Sequence, residues 1–283
     1  MLPALATSGN RIVRRDTGEP VLLRGINRSG FEYACDPGIT EDEIGLIVTG
    51  WNANIIRLPF NQQRVLQSGE EYLRRIDQVI EWTASRGAYT LLDLQWLSES
   101  IAPLPDAQSP LLWRTLADRY HANPAVLYDL YNEPHDVPVA DWNYWATLLT
   151  DTIRSVHIDA LIFVSGMDWG YDLRGVHVDA PGIVYSTHVY PDKQASWENA
   201  FGRAAGERPV FAGEWGGWEK DLAWGQRLAR YFHQLEMGWT AWSWVDQPHL
   251  QHDGVPTAFG EIVRRQLAHN PPRKSEYSVK QGG

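Results

Sequence analysis

Cysteine is almost absent from this 283-residue chain, which contains Cys35 and no other thiol. A single thiol excludes a disulfide within the chain, so cysteine usage does not indicate the redox compartment. No run of 18 apolar residues occurs, which argues against a membrane-spanning helix. The opening segment MLPALATSGN also lacks the basic start and long apolar stretch of a secretory leader. We therefore expect no membrane partner, and no signal peptide is visible.

Positive charge is also scarce. The chain has 25 Lys and Arg residues against 35 Asp and Glu residues, which gives a formal net charge of −10. Nucleic acids and anionic membranes both require a basic face on the protein that binds them. The composition therefore argues against both partners and is compatible with an uncharged substrate.

Tryptophan, in contrast, is abundant, with 14 residues. Large apolar side chains in the core and between helices explain several of them, including Trp51, Trp82 and Trp145, which lie in helical patterns. Indole rings also stack on the C–H faces of sugar rings, as they do on other apolar surfaces. Position in the fold must decide between these two interpretations.

Eight short apolar or β-branched runs, bounded by Gly, Pro, Asn or Asp, are predicted to be strands. They are Val21–Asn27, Asn54–Phe60, Ala88–Trp96, Val126–His135, Leu161–Trp169, Gly182–Tyr190, Pro209–Gly217 and Gly238–Asp246. Amphipathic stretches separate most of them, at Thr40–Trp51, Tyr72–Gly87, Pro110–Asn123, Ala140–Ile158, Trp197–Gly206, Leu222–Gly238 and Ala258–Asn270. The interval Tyr171–Pro181 is too short for more than one or two helical turns. This alternation predicts an α/β fold, a single (β/α)8 TIM barrel.

The two ends of the chain extend this barrel. Asn10–Glu19 has the pattern of a strand, an Asp-Thr-Gly turn and a second strand, which predicts a short N-terminal hairpin that plugs the lower end of the barrel. No linker or repeat divides the chain. We therefore expect residues 1–283 to form one domain, with its core at about 10–269 and a frayed polar tail at 271–283.

Polar and aromatic side chains occupy the carboxyl ends of the predicted strands, where a plain core would have Val, Ile and Leu. From the second strand onward they are Arg57, Gln95, Trp96, Asn132, Glu133, Trp169, His188, Tyr190, Glu214, Trp215, Trp244 and Asp246. Any one of them could be structural, but packing does not readily explain so many strand ends. Active sites of (β/α)8 barrels lie at this face, so we expect these side chains to line one site.

Two of these residues are glutamates, in Asn132-Glu133-Pro134 and Gly213-Glu214-Trp215. Cleavage of a glycosidic bond requires two carboxyl groups in one cleft, because one protonates the leaving oxygen and the other attacks. The pair therefore predicts a glycoside hydrolase.

Five motifs, taken in order, resemble glycoside hydrolase family 5. They are NIIRLPF at 54–60, YNEPH at 131–135, THVY at 187–190, AGEWG at 212–216 and WSW at 242–244. The segment RGINRSGFEY at 24–33 is similar to the first-strand segment of bacterial endoglucanases of that family. The resemblance extends from about Asn10 to His269. Asn-Glu-Pro is shared with related barrel hydrolases, whereas the ordered set is strongly specific.

The resemblance implies that Glu133 is the acid/base and Glu214 the nucleophile of a retaining mechanism. Arg57 and Tyr190 would hydrogen-bond Glu214, and a permanent cation with a phenol donor would favour its ionised form. Glu133 must be protonated at the first step and deprotonated at the second. Loss of the charge on Glu214 in the covalent intermediate would help that change.

The resemblance also implies roles in sugar binding. Asn132 would bind the 2-hydroxyl of the sugar that is attacked, His188 would line the site, and Trp244 would form the floor beneath that sugar. Among the tryptophans that end or follow strands, the further candidates for sugar platforms are Trp96, Trp169 and Trp215.

One residue departs from the family pattern. Gln95 stands where the family usually has a histidine that helps to bind the sugar next to the cleavage point. An amide donates and accepts hydrogen bonds but carries no charge near neutral pH. Either the function is unchanged, which we favour, or the sugar preference or turnover is altered. Two residues earlier, Asp93 is expected to anchor a hydrogen-bond network below the site.

The leading interpretation is a retaining endo-β-glycanase that acts on β-1,4-glucan and binds polysaccharide or oligosaccharide. A β-mannanase, a xyloglucan-active enzyme and a non-catalytic carbohydrate-binding barrel are the alternatives. Short connections at 135–140 and 191–196 predict an open groove and endo-action.

No cofactor or metal is expected, and Asp246, His249 and His252 are interpreted as a solvated or substrate-lining loop. A polymeric substrate suggests a secreted or periplasmic monomer.

Overall fold

The structure, a computed structural model, describes residues 2–99 and 102–270, and the predicted tail at 271–283 lies outside them. Its strands are β1 (Leu5–Ser8), β2 (Arg11–Arg14), β3 (Arg24–Asn27), β4 (Ile55–Asn61), β5 (Tyr89–Trp96), β6 (Val126–Asp129), β7 (Ile162–Ser165), β8 (Ile183–Val189), β9 (Val210–Trp215), β10 (Gly238–Ala241), β11 (Gln251–His252) and β12 (Val255–Pro256). Its helices are α1 (Glu41–Gly45), α2 (Gln62–Ser68), α3 (Glu70–Ser85), α4 (Ser109–Tyr120), α5 (Val139–Arg154), α6 (Arg203–Glu207), α7 (Leu222–Gln234) and α8 (Ala258–Leu267). π-Helical turns at Leu46–Gly50 and Glu198–Gly202 adjoin α1 and α6, and a 3₁₀ turn at Glu219–Asp221 precedes α7. Among the described residues, no helix combines the length and apolar character needed to cross a bilayer.

Strands β3 to β10 form a closed barrel of parallel strands in which β10 pairs with β3. The predicted (β/α)8 barrel is therefore confirmed, and each of the eight predicted strands is present. The interval between β7 and β8 contains no helix, in keeping with its length. Helices pack around the sheet, and large side chains fill the layer between them, among them Trp113 and Trp142.

Several strands end earlier than the sequence predicts. Strand β6 ends at Asp129, so Glu133 lies in the segment that follows it. That segment still hydrogen-bonds to the neighbouring strand β5, because the amide of Asn132 donates to Leu94 O at 3.0 Å. Pro134 has no amide hydrogen to continue the pairing. The acidic side chain is thus held close to the barrel although its backbone has left the sheet.

The N-terminal hairpin is confirmed, with bounds that differ from the prediction. Strands β1 and β2 pair antiparallel around a turn at Gly9, whose φ is +56°. The predicted Asp-Thr-Gly turn follows β2 and returns the chain to an isolated bridge between Val13 and Pro20. Leu5 and Ile12 of the hairpin pack with the inner residues at the lower end of the barrel. The hairpin therefore closes that end, as expected.

Two elements were not predicted. Helix α2 begins directly after β4, where the Asn61 side chain accepts a hydrogen bond from the amide of Arg64 at 3.2 Å. Asparagine is a strong N-cap residue, so this signal was present in the sequence. The short pair β11 and β12 turns through Asp253 and Gly254, both of which have positive φ.

Gly25 is a position where barrel closure requires glycine. A methyl group at Gly25 would lie 1.7 Å from the carbonyl oxygen of Ile55 on the neighbouring strand. We expect Gly25→Ala to lower the free energy of unfolding by about 3 kcal/mol or more, because the backbone of β4 would have to move. Urea denaturation followed by circular dichroism measures the change. Gly206→Ala is the matched control, since a methyl group there meets nothing within 4 Å, and it should change stability by less than about 1 kcal/mol. Equal stability of the two variants would contradict this account of the barrel.

Candidate active site

A fully buried guanidinium lies at the centre of the site. Arg57 of β4 is 0% exposed and contacts three carboxylates: Nη1 to Glu214 Oε1 at 2.8 Å, Nε to Asp129 Oδ2 at 2.9 Å and Nη2 to Asp93 Oδ1 at 2.9 Å. Burial opposes the charge of Arg57, but the three carboxylates outweigh it and raise its pKa. Asp93 thus forms an ion pair with Arg57, but neither of its carboxylate oxygens has a hydrogen-bond partner among the described residues, so its predicted hydrogen-bond network stays a prediction.

The two aspartates differ from ordinary surface carboxylates. Burial raises the pKa of Asp93 well above its usual range, against the opposing effect of Arg57. Burial likewise raises the pKa of Asp129 to about 6. Both shifts favour the protonated form, so the negative charge around Arg57 is smaller than three carboxylates would give at their ordinary pKa values.

Two asparagines complete the shell around Arg57. Nη1 of Arg57 donates to Asn27 Oδ1 at 3.0 Å, and Nη2 donates to Asn132 Oδ1 at 2.9 Å. Asn27 in turn donates to Gly213 O at 2.9 Å, next to Glu214. The amide nitrogen Nδ2 of Asn132 is buried with no hydrogen-bond partner in the described part of the chain. Asn132 is therefore oriented by its oxygen and keeps its donor free.

Glu214 of β9 has both carboxylate oxygens in strong hydrogen bonds. Oε1 accepts from Arg57, and Oε2 accepts from the Tyr190 hydroxyl at 2.7 Å. Burial, followed by the charges of Glu214 and Glu133, raises the pKa of Tyr190 well above its usual range, which keeps the phenol protonated as a donor. Both donors stabilise negative charge on Glu214.

Glu133 has a different environment. Its side chain is 15% exposed, and Oε1 lies 3.0 Å from Nδ1 of His188. Burial raises the pKa of Glu133 to about 7, while the charges of Lys193, Arg57 and His135 oppose the rise. A carboxyl group with such a pKa can hold a proton near neutral pH and release it when its surroundings change.

His188 is held between two glycines. Burial lowers its pKa to about 3, so the imidazole is neutral. A methyl group at Gly170 would lie 2.6 Å from Cγ of the ring, and one at Gly213 would lie 2.9 Å from Nε2. The register between β8 and β9 shifts by one residue here: Thr187 pairs with Ala212, and His188 pairs with Glu214, so that Gly213 is the extra residue. This bulge brings the ring beside both glutamates.

The two glutamates and the histidine converge. One carboxylate oxygen of Glu133, one of Glu214 and a ring nitrogen of His188 all lie within 4.8 Å of one another. Such donors could hold a cation. Both oxygens of Glu214 already accept from Arg57 and Tyr190, however, and a metal ion would have to compete with the guanidinium charge. The expected absence of a metal stays a prediction.

A cavity of about 560 Å³ adjoins Glu133. Its lining includes Trp169, which is 38% exposed, and Trp218, which is 48% exposed. The Trp169 ring stacks on His135 with centroids 3.6 Å apart and an angle of 9° between the planes. Trp169 is therefore placed as predicted, whereas Trp218 was missed. The signal available for it was its position just after Gly216 and Gly217, beyond the end of β9.

Two predicted platforms are wrong because the structure buries them. Trp215 is 0% exposed and packs against Trp239 and Phe259. Trp244 is 2% exposed and meets Trp51 edge to face at 5.0 Å. Neither ring offers a sugar an open face, and both rings support the barrel from within the apolar core. Trp242, two residues before Trp244, is 9% exposed.

The loops after β3, β5 and β10 meet at a second aromatic group. Trp96 is partly exposed and meets Tyr33 edge to face at 4.9 Å. Tyr33 is 46% exposed and donates to Asp246 at 3.0 Å. The predicted candidates Trp96 and Asp246 are thus brought together with Tyr33.

Gln95 lies at an irregularity between β4 and β5, where Phe60 pairs with Leu94 and Asn61 pairs with Trp96. It is 7% exposed, and its Oε1 has no hydrogen-bond partner within the described residues. A buried amide oxygen without a partner is costly, which makes it ready to accept a hydrogen bond from a bound molecule.

Among the residues that position Glu214 and Arg57, sequence reasoning missed Asn27 and Asp129. Asn27 ends the first barrel strand, and Asp129 shares the parity of Tyr131 and Glu133 in VLYDLYNEP. Both signals were visible, but a buried polar network is hard to distinguish from a surface turn without the fold.

Known proteins resemble this chain over most of its length. Endoglucanase E-5 of Thermobifida fusca is 26% identical over 88% of this chain and 60% of its own length. The major extracellular endoglucanase of Xanthomonas campestris pv. campestris is 27% identical over 86% of this chain and 66% of its own length. The chain thus spans about three-fifths to two-thirds of these relatives. A solved structure of a β-glucanase from Saccharophagus degradans in complex with cellotetraose has a TM-score of 0.85 and 24% identity, and the match covers 95% of this chain and 94% of that one.

A family model agrees with these likenesses. The model for cellulase (glycosyl hydrolase family 5) matches residues 15–248, which include β3 to β10 and every residue of the site described above. The chain therefore belongs to the cellulase family, glycosyl hydrolase family 5.

Proposed function

We propose that this chain is a retaining endo-β-1,4-glucanase in which Glu133 is the acid/base and Glu214 the nucleophile. The observation that carries the proposal is the close approach of the two side chains, with one oxygen of each within 4.8 Å of the other. Retaining pairs have carboxyl groups about 5–5.5 Å apart, whereas inverting pairs stand about 6.5–9.5 Å apart to admit a water. The short separation supports direct attack by a carboxylate.

The environments of the two groups support their different roles. In the first step Glu214 attacks the anomeric carbon, and the bond to the leaving oxygen breaks as Glu133 protonates that oxygen. Arg57 and Tyr190 stabilise the charge that Glu214 carries before attack. In the second step Glu133, now ionised, takes a proton from water as that water attacks the glycosyl ester. Glu214 is released as a carboxylate, and Glu133 is protonated again.

Asn132 supports the contact with the sugar that is attacked. Arg57 fixes its side-chain oxygen, which leaves Nδ2 to donate to a hydroxyl group at the neighbouring carbon. A hydrogen bond to the 2-hydroxyl strengthens as positive charge develops in the transition state. His188 would keep Glu133 oriented through the contact at Nδ1.

Exposed aromatic side chains and the named relatives support a substrate and a location for this chain. Exposed Trp169, Trp218 and Tyr33 offer apolar surface around Glu133 and along the loops after β3 and β9. The Saccharophagus degradans β-glucanase was solved with cellotetraose, and the curated relatives are named endoglucanases. We infer a β-1,4-glucan substrate in a groove open to internal linkages. The relative named major extracellular endoglucanase supports a secreted or periplasmic location for a monomer that forms one catalytic domain.

The stereochemistry of the first product tests the mechanism. We expect NMR during early turnover of cellotetraose to show the β-anomer first, because two inversions restore the configuration. Glu214→Ala should lower kcat by at least about a thousandfold while binding changes little, since it removes a group used in the transition state. An α-anomer as the first product, or near-normal turnover by Glu214→Ala, would refute the nucleophile role.

A screen against glucan, mannan, xyloglucan and xylan separates the alternative substrates.

The pKa of Glu133 predicts a pH dependence. The first step needs protonated Glu133, so kcat/KM on cellotetraose should be retained up to about pH 7 and fall as pH rises through that pKa. In Glu133→Gln the residual activity should lose this alkaline limb, because the amide does not titrate. An alkaline limb near pH 4–5, where an ordinary glutamate titrates, would contradict the raised pKa.

Gln95 can be tested as a determinant of sugar preference. We favour unchanged function, so Gln95→His should alter kcat/KM on each glycan by less than about threefold. If the unpartnered Gln95 oxygen instead selects the sugar, the ratio of activities on glucan and mannan should change by about tenfold, because a lost hydrogen bond to a buried group costs a comparable factor. Kinetic constants measured on cellohexaose and mannohexaose distinguish the two results.

A further inference from the structure

The platform residue Trp169 lies on an unusual stretch of backbone. Asp168 and Trp169 have φ of +54° and +58°, and Gly170 follows with +74°. Left-handed conformations are unfavourable for residues with a Cβ, and two in succession persist only where the surroundings hold them. The question is therefore which contacts hold this turn.

Backbone hydrogen bonds between Met167 and Asp172 close the turn, and Lys193, from the loop after β8, adds side-chain contacts to its tip. Its Nζ donates to the carbonyl oxygen of Asp168 at 2.6 Å and to that of Trp169 at 3.3 Å. On the other side the amide of Trp169 donates to Pro134 O at 3.2 Å, next to Glu133. The side chain of Lys193 thus bridges two loops across the cleft wall.

The turn presents an aromatic surface beside the proposed acid. Trp169 is parallel to His135, whose Nδ1 lies 2.7 Å from the carbonyl oxygen of Glu133. Trp169, Lys193 and Glu133 all line the same cavity. One face of the indole is covered by the imidazole, and the exposed remainder of the ring borders the cavity.

The charge of Lys193 has no close counterion. Within the described residues Lys193 forms no ion pair with a carboxylate, and its Nζ lies 5.7 Å from the centroid of the Tyr171 ring. The charged and titratable groups that act on or contact Glu133, from each element packed around it, are Lys193, Arg57, His135, His188, Tyr190 and Glu214. Among the cations, Lys193 has the largest effect in lowering the pKa of Glu133.

We propose that Lys193 is a positioning residue for the leaving-group side of the cleft, which fixes Trp169 as a sugar platform and places a positive charge beside Glu133. This inference rests on the proposed function. Lys193 acts through the turn and through its field, and it forms no bond to the carboxyl group of Glu133. Its loss should affect substrates that place a sugar on the leaving side and should change the proton affinity of the acid.

Lys193→Met tests both effects with two substrates. Cellotetraose places sugars on the leaving side and needs protonation of its leaving oxygen, so its kcat/KM should fall about tenfold, mainly through KM. 4-Nitrophenyl β-cellobioside has a leaving phenolate that needs little protonation, so its kcat/KM should change by less than about twofold. Removal of the cation should also move the alkaline limb of the cellotetraose profile to higher pH. Lys193→Arg should restore both properties, because it keeps the charge and a donor.

Two further variants serve as controls. Arg203→Met removes an exposed positive charge at the start of α6, where the side chain is 73% exposed, and should leave both substrates and the pH limb unchanged. Trp169→Ala should reproduce the loss on cellotetraose without the full shift of the limb. If Lys193→Met lowers kcat/KM equally on both substrates and leaves the alkaline limb unmoved, the lysine is merely structural and the inference is overturned. Wild-type kinetics in Lys193→Met would overturn it as well. A wild-type protein inactive on every glucan would refute the proposed function, and the inference with it.

Discussion

The burial of Arg57 is the constraint on which the rest of the site depends. A guanidinium without access to water is tolerated only where carboxylates and amide oxygens surround it. Its charged partners come from three other strands: Asp93 from β5, Asp129 from β6 and Glu214 from β9. Closure of the barrel brings these groups together. The fold and the site therefore depend on the same strand pairings, and Glu214 is held in the site as a counterion of Arg57.

The two glutamates illustrate how position sets chemistry. Glu214 ends a strand next to a permanent cation, whereas Glu133 lies beyond a strand end beside the neutral ring of His188. Glu214 accepts hydrogen bonds from Arg57 and Tyr190, whereas burial raises the pKa of Glu133 to about 7. Two identical side chains thus have different environments. A bulge at Gly213 of β9 contributes to this arrangement, because it places His188 opposite Glu214.

The sequence predicted the barrel and its glutamate pair because both depend on short-range patterns: alternating strands and helices, and polar residues where strands end. It did not predict that Trp215 and Trp244 are buried. Whether a side chain at a strand end faces the cleft or the helices depends on where each strand leaves the sheet, and that is set by contacts with neighbouring strands. Lys193 and Trp218 were missed because they lie in loops, whose course follows no period in the sequence.

Because Arg57 is buried, salt should affect the charges around it less than it affects the charges at the protein surface. The whole chain has a formal net charge of −10, and pairs such as Arg264–Glu261 lie at its surface, where dissolved salt screens charges over about 8–10 Å. Counterions do not reach a guanidinium that is 0% exposed or a carboxylate whose side chain is 5% exposed. Changes in salt concentration should therefore alter the electrostatic interactions of the acidic surface. The ion pairs of Arg57 beneath the cleft should change little.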